Sequence, residues 1–300
     1  MIQRLICLLW LMTTLACRTD RDARDENAVA SEIRIMSYNI LYSSSQEGTL
    51  KVIRESKADV IGLQEISHER LSDLARDLDF SFHAFPKTTA NGSDQDTGIL
   101  SRFPIVRTLT NGVVARINDS LEVAVFTVHL SPYPYGPYDF RDGKLSSSEE
   151  AVASAAAKRL PEIEPVLKEM KAVITDGIPV VLTGDFNEPS HLDWTTATSL
   201  HGLHFGKVVE WPVSKAIADA GLHDAYRERY NDPVAFPGYT WTTLDGEDEV
   251  YDRIDFIYHV PHSDFRLQDV LLVGGPINDA DIVIGEFPSD HFGVMGVYQY

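Results

Sequence analysis

The segment "PVVLTGDFNEPS", residues 179–190, decides the fold. Val180, Val181 and Leu182 form an apolar run of the kind found in strands buried on both faces, and it is too short for an ordinary helix. It ends in a carboxylate, an aromatic ring and an amide: Asp185, Phe186 and Asn187. Side chains alternate faces along an extended chain, so Asp185 and Asn187 are expected to leave on one side while Phe186 turns back into the protein. The strand thus reads as a buried support that carries two polar heads to its end.

Working outward, similar short runs recur at 33–40, 59–65, 98–101, 123–130, 253–260, 269–275 and 293–300. Between them lie helical patterns at 48–57, 67–78, 146–176 and 191–201, with another around 214–220. This is an α/β pattern. No internal repeat and no low-complexity linker divides 33–300, so one domain of two sheets covered by helices is expected.

The chain has 300 residues, 44% of them apolar and 10% aromatic, enough for a substantial core. Acidic residues number 45 and basic residues 26, a net charge of −19. That balance disfavours a protein that grips DNA or RNA through a broadly cationic surface, while leaving room for a local basic rim.

Residues 1–17 read as an export leader: Arg4 precedes an apolar stretch from Leu5 to Ala16 that is too short to span a bilayer. Ala16-Cys17 is similar to a bacterial lipoprotein cleavage site, with Thr14 where that pattern has Leu; ordinary cleavage near Ala16 is the alternative. Residues 18–32 are charged, lack large apolar side chains and read as a flexible tether, so the domain is expected to span 33–300. A secreted, periplasmic or membrane-anchored location follows. Cys7 and Cys17 are the only cysteines, and both fall in the leader. The remaining chain therefore offers no disulfide, thiolate zinc site or cysteine nucleophile, and its chemistry must use oxygen and imidazole.

Polar residues gather where strands end. Asn39, Glu65, His129, Asp185 and Asn187 each close a strand pattern, Asp255 lies in "RIDFIY", and Asp290 and His291 precede the last strand. One strand-end acid is ordinarily a helix cap or a turn former. Eight such residues suggest a shared cleft.

In order and spacing, SYN (37–39), LQE (63–65), LSRFP (100–104), TVHL (127–130), GDFN (184–187), TW (240–241), RIDFI (253–257) and SDH (289–291) resemble the endonuclease/exonuclease/phosphatase superfamily of deoxyribonuclease-like, metal-dependent phosphoesterases. The resemblance covers essentially 33–300. It implies a four-layer α/β sandwich, two packed mixed β-sheets flanked by helices, with the site at a mouth of strand-end loops. It also implies Mg²⁺ or Mn²⁺ held by Glu65 and Asp290, with Asn39 positioning the ligand carboxylate or a phosphate oxygen. Asp185 would orient or deprotonate water, and Asn187 would bind the developing phosphorane oxygen. His291 would contact the phosphate with Asp255 fixing its tautomer, and His129 would make a second phosphate contact or protonate the leaving group. Trp241 is expected near the cleft, as a substrate contact or as core packing. Asp96 is the nearest candidate to support His129, or else a turn residue beside Gly92, Ser93 and Asp94. Arg253 and Arg102 could reach phosphate or serve as ion-pair struts. The remaining eight histidines read as structural or surface residues.

The loop "SPYPYGPYDFRDG" (131–143) follows His129, and its prolines and tyrosines suggest a stiff wall beside the leaving group or a rigid surface loop without a ligand. The acidic balance favours a small or lipid-derived phosphoester over nucleic acid, which remains the alternative as a secreted deoxyribonuclease-like endonuclease. A monomer is expected, tethered to a membrane if Cys17 is lipidated. A non-catalytic binding module with this fold is a further alternative, disfavoured because Glu65, Asp185 and His291 are all retained; a serine hydrolase is disfavoured further by the lack of a G-x-S-x-G elbow.

Overall fold

The computed structural model describes residues 31–85, 96–244, 246, 248–276 and 280–300. The expected leader, Cys17, the tether up to residue 30 and the turn formers Gly92, Ser93 and Asp94 lie outside the described residues. In chain order the first elements are β1 (Glu32–Asn39), α1 (Gln46–Ser56), β2 (Val60–Gln64), α2 (His68–Leu78), β3 (Ser81–Phe85) and β4 (Thr97–Ser101). Next come β5 (Ile105–Thr108), β6 (Gly112–Arg116), β7 (Glu122–His129), α3 (Gly136–Arg141), α4 (Ser148–Thr175) and β8 (Val180–Asp185). The chain closes with α5 (Thr196–Leu200), α6 (Pro212–Asp219), β9 (His223–Asp224), α7 (Ala225–Arg229), β10 (Asp255–His259), β11 (Arg266–Gly274), β12 (Ile282–Val283) and β13 (Gly293–Gln299).

The strands form two mixed sheets, one ordered β12-β11-β13-β1-β2-β4-β3 and the other β5-β6-β7-β8-β10-β9. One hydrophobic cluster joins their facing surfaces and includes Ile35, Val60 and Ile99 from the first sheet with Val125, Val181 and Ile257 from the second. Behind the first sheet, Val52 and Ile53 of α1 and Leu71 and Leu74 of α2 pack on Met36, Ile61 and Leu100. Behind the second, Ile163, Val166 and Met170 of α4 and Ile217 of α6 pack on Phe126, Val180 and Leu182. The result is a four-layer α/β sandwich. Among the described residues, no helix is long and apolar enough to cross a membrane.

Local chemistry sets the helix boundaries. Ser45 caps α1 by accepting from Gly48 N, and Ser147 with Glu150 forms a reciprocal capping box at the start of α4. The helix expected at 191–201 is helical only over Thr196–Leu200, because residues 191–195 form turns ahead of the Thr195 cap.

Five described strands escape the sequence pattern: β3, β5, β6 and the two-residue strands β9 and β12. Of these, β5 is the edge strand of its sheet and pairs antiparallel with β6. The sheets come close at Gly62, where an added Cβ would lie 2.0 Å from Thr183 Oγ1 and 2.8 Å from Thr127 Oγ1 of the facing sheet. Gly62 therefore sets the separation of the layers just beneath the site.

Candidate active site

Three neighbouring strands carry polar groups at one level. In the register of the second sheet, Asp185 lies beside His129 of the parallel strand β7 and opposite Asp255 of the antiparallel strand β10. Like charges directly opposite one another across a strand pair are unfavourable, so this rung needs compensation from outside the sheet. His291, in the loop before β13, supplies it: Nδ1 lies 2.9 Å from Asp255 Oδ2, and Nε2 lies 3.8 Å from Asp185 Oδ2. His129 Nε2 lies 3.5 Å from the same Asp185 oxygen. From the facing sheet, Asn39 Nδ2 donates to Asp185 Oδ2 at 3.0 Å and to Glu65 Oε1 at 3.2 Å.

Asp185 ends β8, and Phe186 turns back to pack on Phe256 and Tyr258 of the outer core. Asn187 joins Asp185 at the cavity by a different route from simple alternation. It takes a left-handed conformation with φ of 49°, and its backbone N–H donates to Asp185 Oδ1 at 2.9 Å. Asparagine tolerates that region better than most residues. Its Nδ2 donates to Leu130 O at 3.0 Å, which leaves the second amide hydrogen for a ligand. Glu65 also turns out of its strand at positive φ, 58°, and its Oε2 accepts from Tyr42 N at 2.9 Å.

These groups line a cavity of about 320 Å³ whose polar floor is Glu65, His129, Asp185, Asn187, Asp290 and His291. Tyr42, Pro132, Tyr133, Tyr135, Tyr138 and Trp241 make its walls, with Ile254. The loop that follows His129 is thus a cavity wall, and part of it is the short helix α3. Trp241 sits 4.8 Å from the His291 ring, centre to centre, and donates from Nε1 to Tyr138 Oη at 3.0 Å.

The electrostatics follow from burial. Burial pushes the Asp185 carboxyl up, the nearby Asp255 charge adds to that, and His291, His129 and Asn39 oppose it. Burial opposes the charged form of His291, yet the carboxylates of Asp255, Asp185 and Asp290 outweigh it and raise its pKa to about 10. Asp290 is also raised, chiefly by burial with Glu65 and Asp185 adding to it. His129 Nδ1 lies 2.8 Å from Asp96 Oδ2, so Asp96 stands where a supporting carboxylate was sought.

Two arrangements could hold a cation. Ligand atoms of Asp185, Asp255 and His291 lie within 4.8 Å of one another. That trio is deeply buried, and a cation there would compete with the contact between Asp255 Oδ2 and His291 Nδ1. Glu65 and Asp290 instead line the cavity, and Asp290 Oδ1 is buried without a hydrogen-bond partner. Two mutually repelling carboxylates, one with an orphaned oxygen, suit a hard divalent ion that prefers oxygen ligands. Asn39 lies between two of the site's carboxylates. Its Oδ1 accepts from Leu41 N at 3.1 Å and its Nδ2 faces carboxylates, so it clamps Glu65 and Asp185 and lies fully buried beneath the substrate space.

The two candidate phosphate arginines lie elsewhere. Arg253 is buried between Asp193 and Asp224, with contacts of 2.7–3.1 Å, and Arg102 pairs with Asp59 at 2.9 Å. Sequence reasoning missed Glu188 and Arg159. Glu188 is buried beside Asn187, and Arg159 of α4 is buried with Nη1 3.8 Å from Glu188 Oε2. A charged residue in a helix pattern carries no sign of being buried, although Glu188 next to the GDFN segment was a positional hint.

The sequence model of the Endonuclease/Exonuclease/phosphatase family matches residues 36–291. A Caenorhabditis elegans protein, uncharacterized protein F14F9.5, is 29% identical over 325 aligned positions that cover 98% of each chain. Among solved structures, D. rerio TDP2 complexed with single strand DNA product is 19% identical, with a TM-score of 0.54 over 90% of this chain and 100% of that one. The human Nocturnin catalytic domain with bound sulfate anion is 18% identical, with a TM-score of 0.54 over 89% and 94%. At these identities the structural likeness shows the fold.

Proposed function

The chain belongs to the endonuclease/exonuclease/phosphatase family, and from that premise we propose that it is a divalent-metal-dependent phosphoesterase that hydrolyses a small or lipid-derived phosphoester by attack of water. Members of the family are typically metal-dependent hydrolases. One observation carries the reading: Asp185 is held by Asn39 at 3.0 Å and approached by two imidazole Nε2 atoms at 3.5 and 3.8 Å, at the floor of a cavity that Glu65 and Asp290 also line.

Glu65 and Asp290 would hold the ion, which when bound neutralises phosphoryl charge and makes a bound water more acidic. The protein's own groups divide the remaining work. Asp185, made more basic by burial, takes a proton from water as the new O–P bond forms. The second Asn187 amide hydrogen and protonated His291 stabilise negative charge on the phosphoryl oxygens, with Asp255 fixing the imidazole on its Nδ1 side. His129, oriented by Asp96, supplies a proton to the leaving oxygen as its bond to phosphorus breaks.

We also read residues 1–17 as an export leader and Cys17 as a candidate lipid anchor, which would put a monomeric enzyme outside the cytoplasm or on a membrane. A nuclease is the second reading, favoured by the DNA product bound to the D. rerio protein of like fold. The test is a parallel assay with Mg²⁺ or Mn²⁺, with and without EDTA, on bis-p-nitrophenyl phosphate, p-nitrophenyl phosphate, sphingomyelin and plasmid DNA. Chelator-sensitive turnover of a small ester or sphingomyelin without plasmid nicking is the expected result. Nicking alone would put the nuclease reading first, and turnover undiminished by EDTA would refute the metal assignment.

A further inference from the structure

The cavity walls and floor differ sharply in chemistry. Three carboxylates, Glu65, Asp185 and Asp290, face the floor, and among the described residues lining the cavity there is no lysine or arginine. Two guanidinium groups beside wall residues are committed elsewhere. Arg141 lies 4.3 Å over the Tyr138 ring and donates to Asp142 and to Asp248 O, while Arg70 donates to Tyr42 O, Ser44, Ser45 O and Thr49. A bound divalent ion would offset part of the floor's charge and leave little to neutralise a second phosphate.

The wall is aromatic and held before any ligand arrives. Arg159 is buried in α4, and it donates to the carbonyls of Ser131, Pro132 and Pro134 at 2.9, 3.2 and 2.7 Å. Glu162, one turn further on, accepts from Ser131 N at 2.8 Å. Tyr138 Oη donates to Glu249 and accepts from Trp241, and its ring meets Tyr135 edge-on at 4.8 Å. Tyr133 and Tyr42, by contrast, remain 69% and 53% exposed at the cavity although both are large aromatic side chains. Tyr42 Oη donates to Asp96 Oδ1 at 2.6 Å, and Arg159 holds the carbonyls on either side of Tyr133, so two open ring faces on anchored chain offer stacking surface at low ordering cost.

Resting on the phosphoesterase reading, we propose that the preferred substrate is a phosphodiester bearing one negative charge and, on the ester group that is not expelled, a neutral, flat ring, which stacks on the wall that Arg159 holds. Neighbouring phosphates of a polynucleotide, or the second charge of a monoester, meet no lysine or arginine among the described lining residues. The flat group takes the exposed tyrosine faces, and stacking of this kind tolerates differences in the ring.

The test compares, on the full chain with Mg²⁺ or Mn²⁺, two diesters that share a leaving group and a charge: thymidine 5′-(p-nitrophenyl) phosphate and methyl p-nitrophenyl phosphate. The ring ester is expected to have a kcat/KM about tenfold higher, mostly through KM. A thymidine ester carrying an added 3′-phosphate is expected to fall about tenfold below its unphosphorylated parent. Tyr133→Ala and Arg159→Met should each shrink the ring-to-methyl ratio, the first by removing a face and the second by releasing the loop. Thermal unfolding of both variants separates that effect from loss of fold, and Tyr133→Phe should restore the ratio. Equal kcat/KM for the two diesters, or faster turnover of the 3′-phosphorylated ester, would overturn the inference while leaving a phosphoesterase in place. Turnover of neither diester would overturn the phosphoesterase reading beneath it.

Discussion

Glu188 should make this protein less stable as pH rises through neutrality. Its side chain is buried next to Asn187; Oε1 accepts from Val213 N at 2.8 Å and Oε2 has no hydrogen-bond partner. Burial raises its pKa from 4.5 to about 7, against the opposing effects of the Val213 hydrogen bond and Arg159. Between those values the unfolded chain gives up the proton more readily than the folded one, so stability falls with increasing pH. The contribution is fully present below 4.5 and lost above about 7. At about 1.4 kcal/mol per pH unit, the loss is about 3 kcal/mol. Glu188→Gln removes the titration and keeps an acceptor for Val213, while Arg159 retains its three carbonyl partners. Urea unfolding of both proteins from pH 4.5 to 8.5 should give curves that nearly meet at the acid end and separate by about 3 kcal/mol at the alkaline end, the glutamine protein being more stable. Parallel curves would refute the reasoning. So would a wild type that gains on the variant with rising pH, because the ion pair with Arg159 would then dominate.

Three further outcomes are expected. Asp185→Asn should lower kcat by about 10²–10⁴-fold with unchanged circular dichroism, since it removes the base while preserving shape; near-normal turnover would exclude its role. Arg253→Met should cost about 3–5 kcal/mol in urea unfolding, because it leaves buried Asp193 and Asp224 short of a countercharge that Arg227 only partly replaces at Asp193; a change within error would contradict the buried-strut account. Gly62→Ala should cost about 1–3 kcal/mol, since its methyl group would push Thr183 and Thr127 and spread the sheets; unchanged stability would show that the layers can yield there.

Much of the architecture was legible because burial on two faces leaves a sequence trace. The strands carrying Asn39, His129 and Asp185 are apolar runs with polar ends, and α4 announces itself through alanines and the Ser147 cap. What escaped was shorter or half-buried. β3 is five residues with mostly partial burial and β5 is a four-residue edge strand, although the Asn111-Gly112 pair that leads into β6 is a hairpin signal that the sequence alone could have supplied. The polar residues now gathered around Asp185 could be nominated one by one, yet contacts such as His129 to Asp96 and His291 to Asp255 span 33 and 36 positions and depend on the completed sandwich. The orientation of the Asn39 amide toward Glu65 and Asp185 was hidden for the same reason: which way an amide faces is decided by neighbours that sequence does not place. Arg159 left no trace, because a charge buried against backbone carbonyls looks in sequence like any charge on a solvated surface, and Glu188 left only its place beside Asn187.

The shared rung of His129, Asp185 and Asp255 has a consequence for how competence is acquired. A strand that pairs one residue out of step would send its member of the trio to the opposite side of the layer. Correct strand registration and chemical readiness are therefore a single event: a slipped population could look folded by bulk spectroscopy and still be silent, with no graded loss of rate in between.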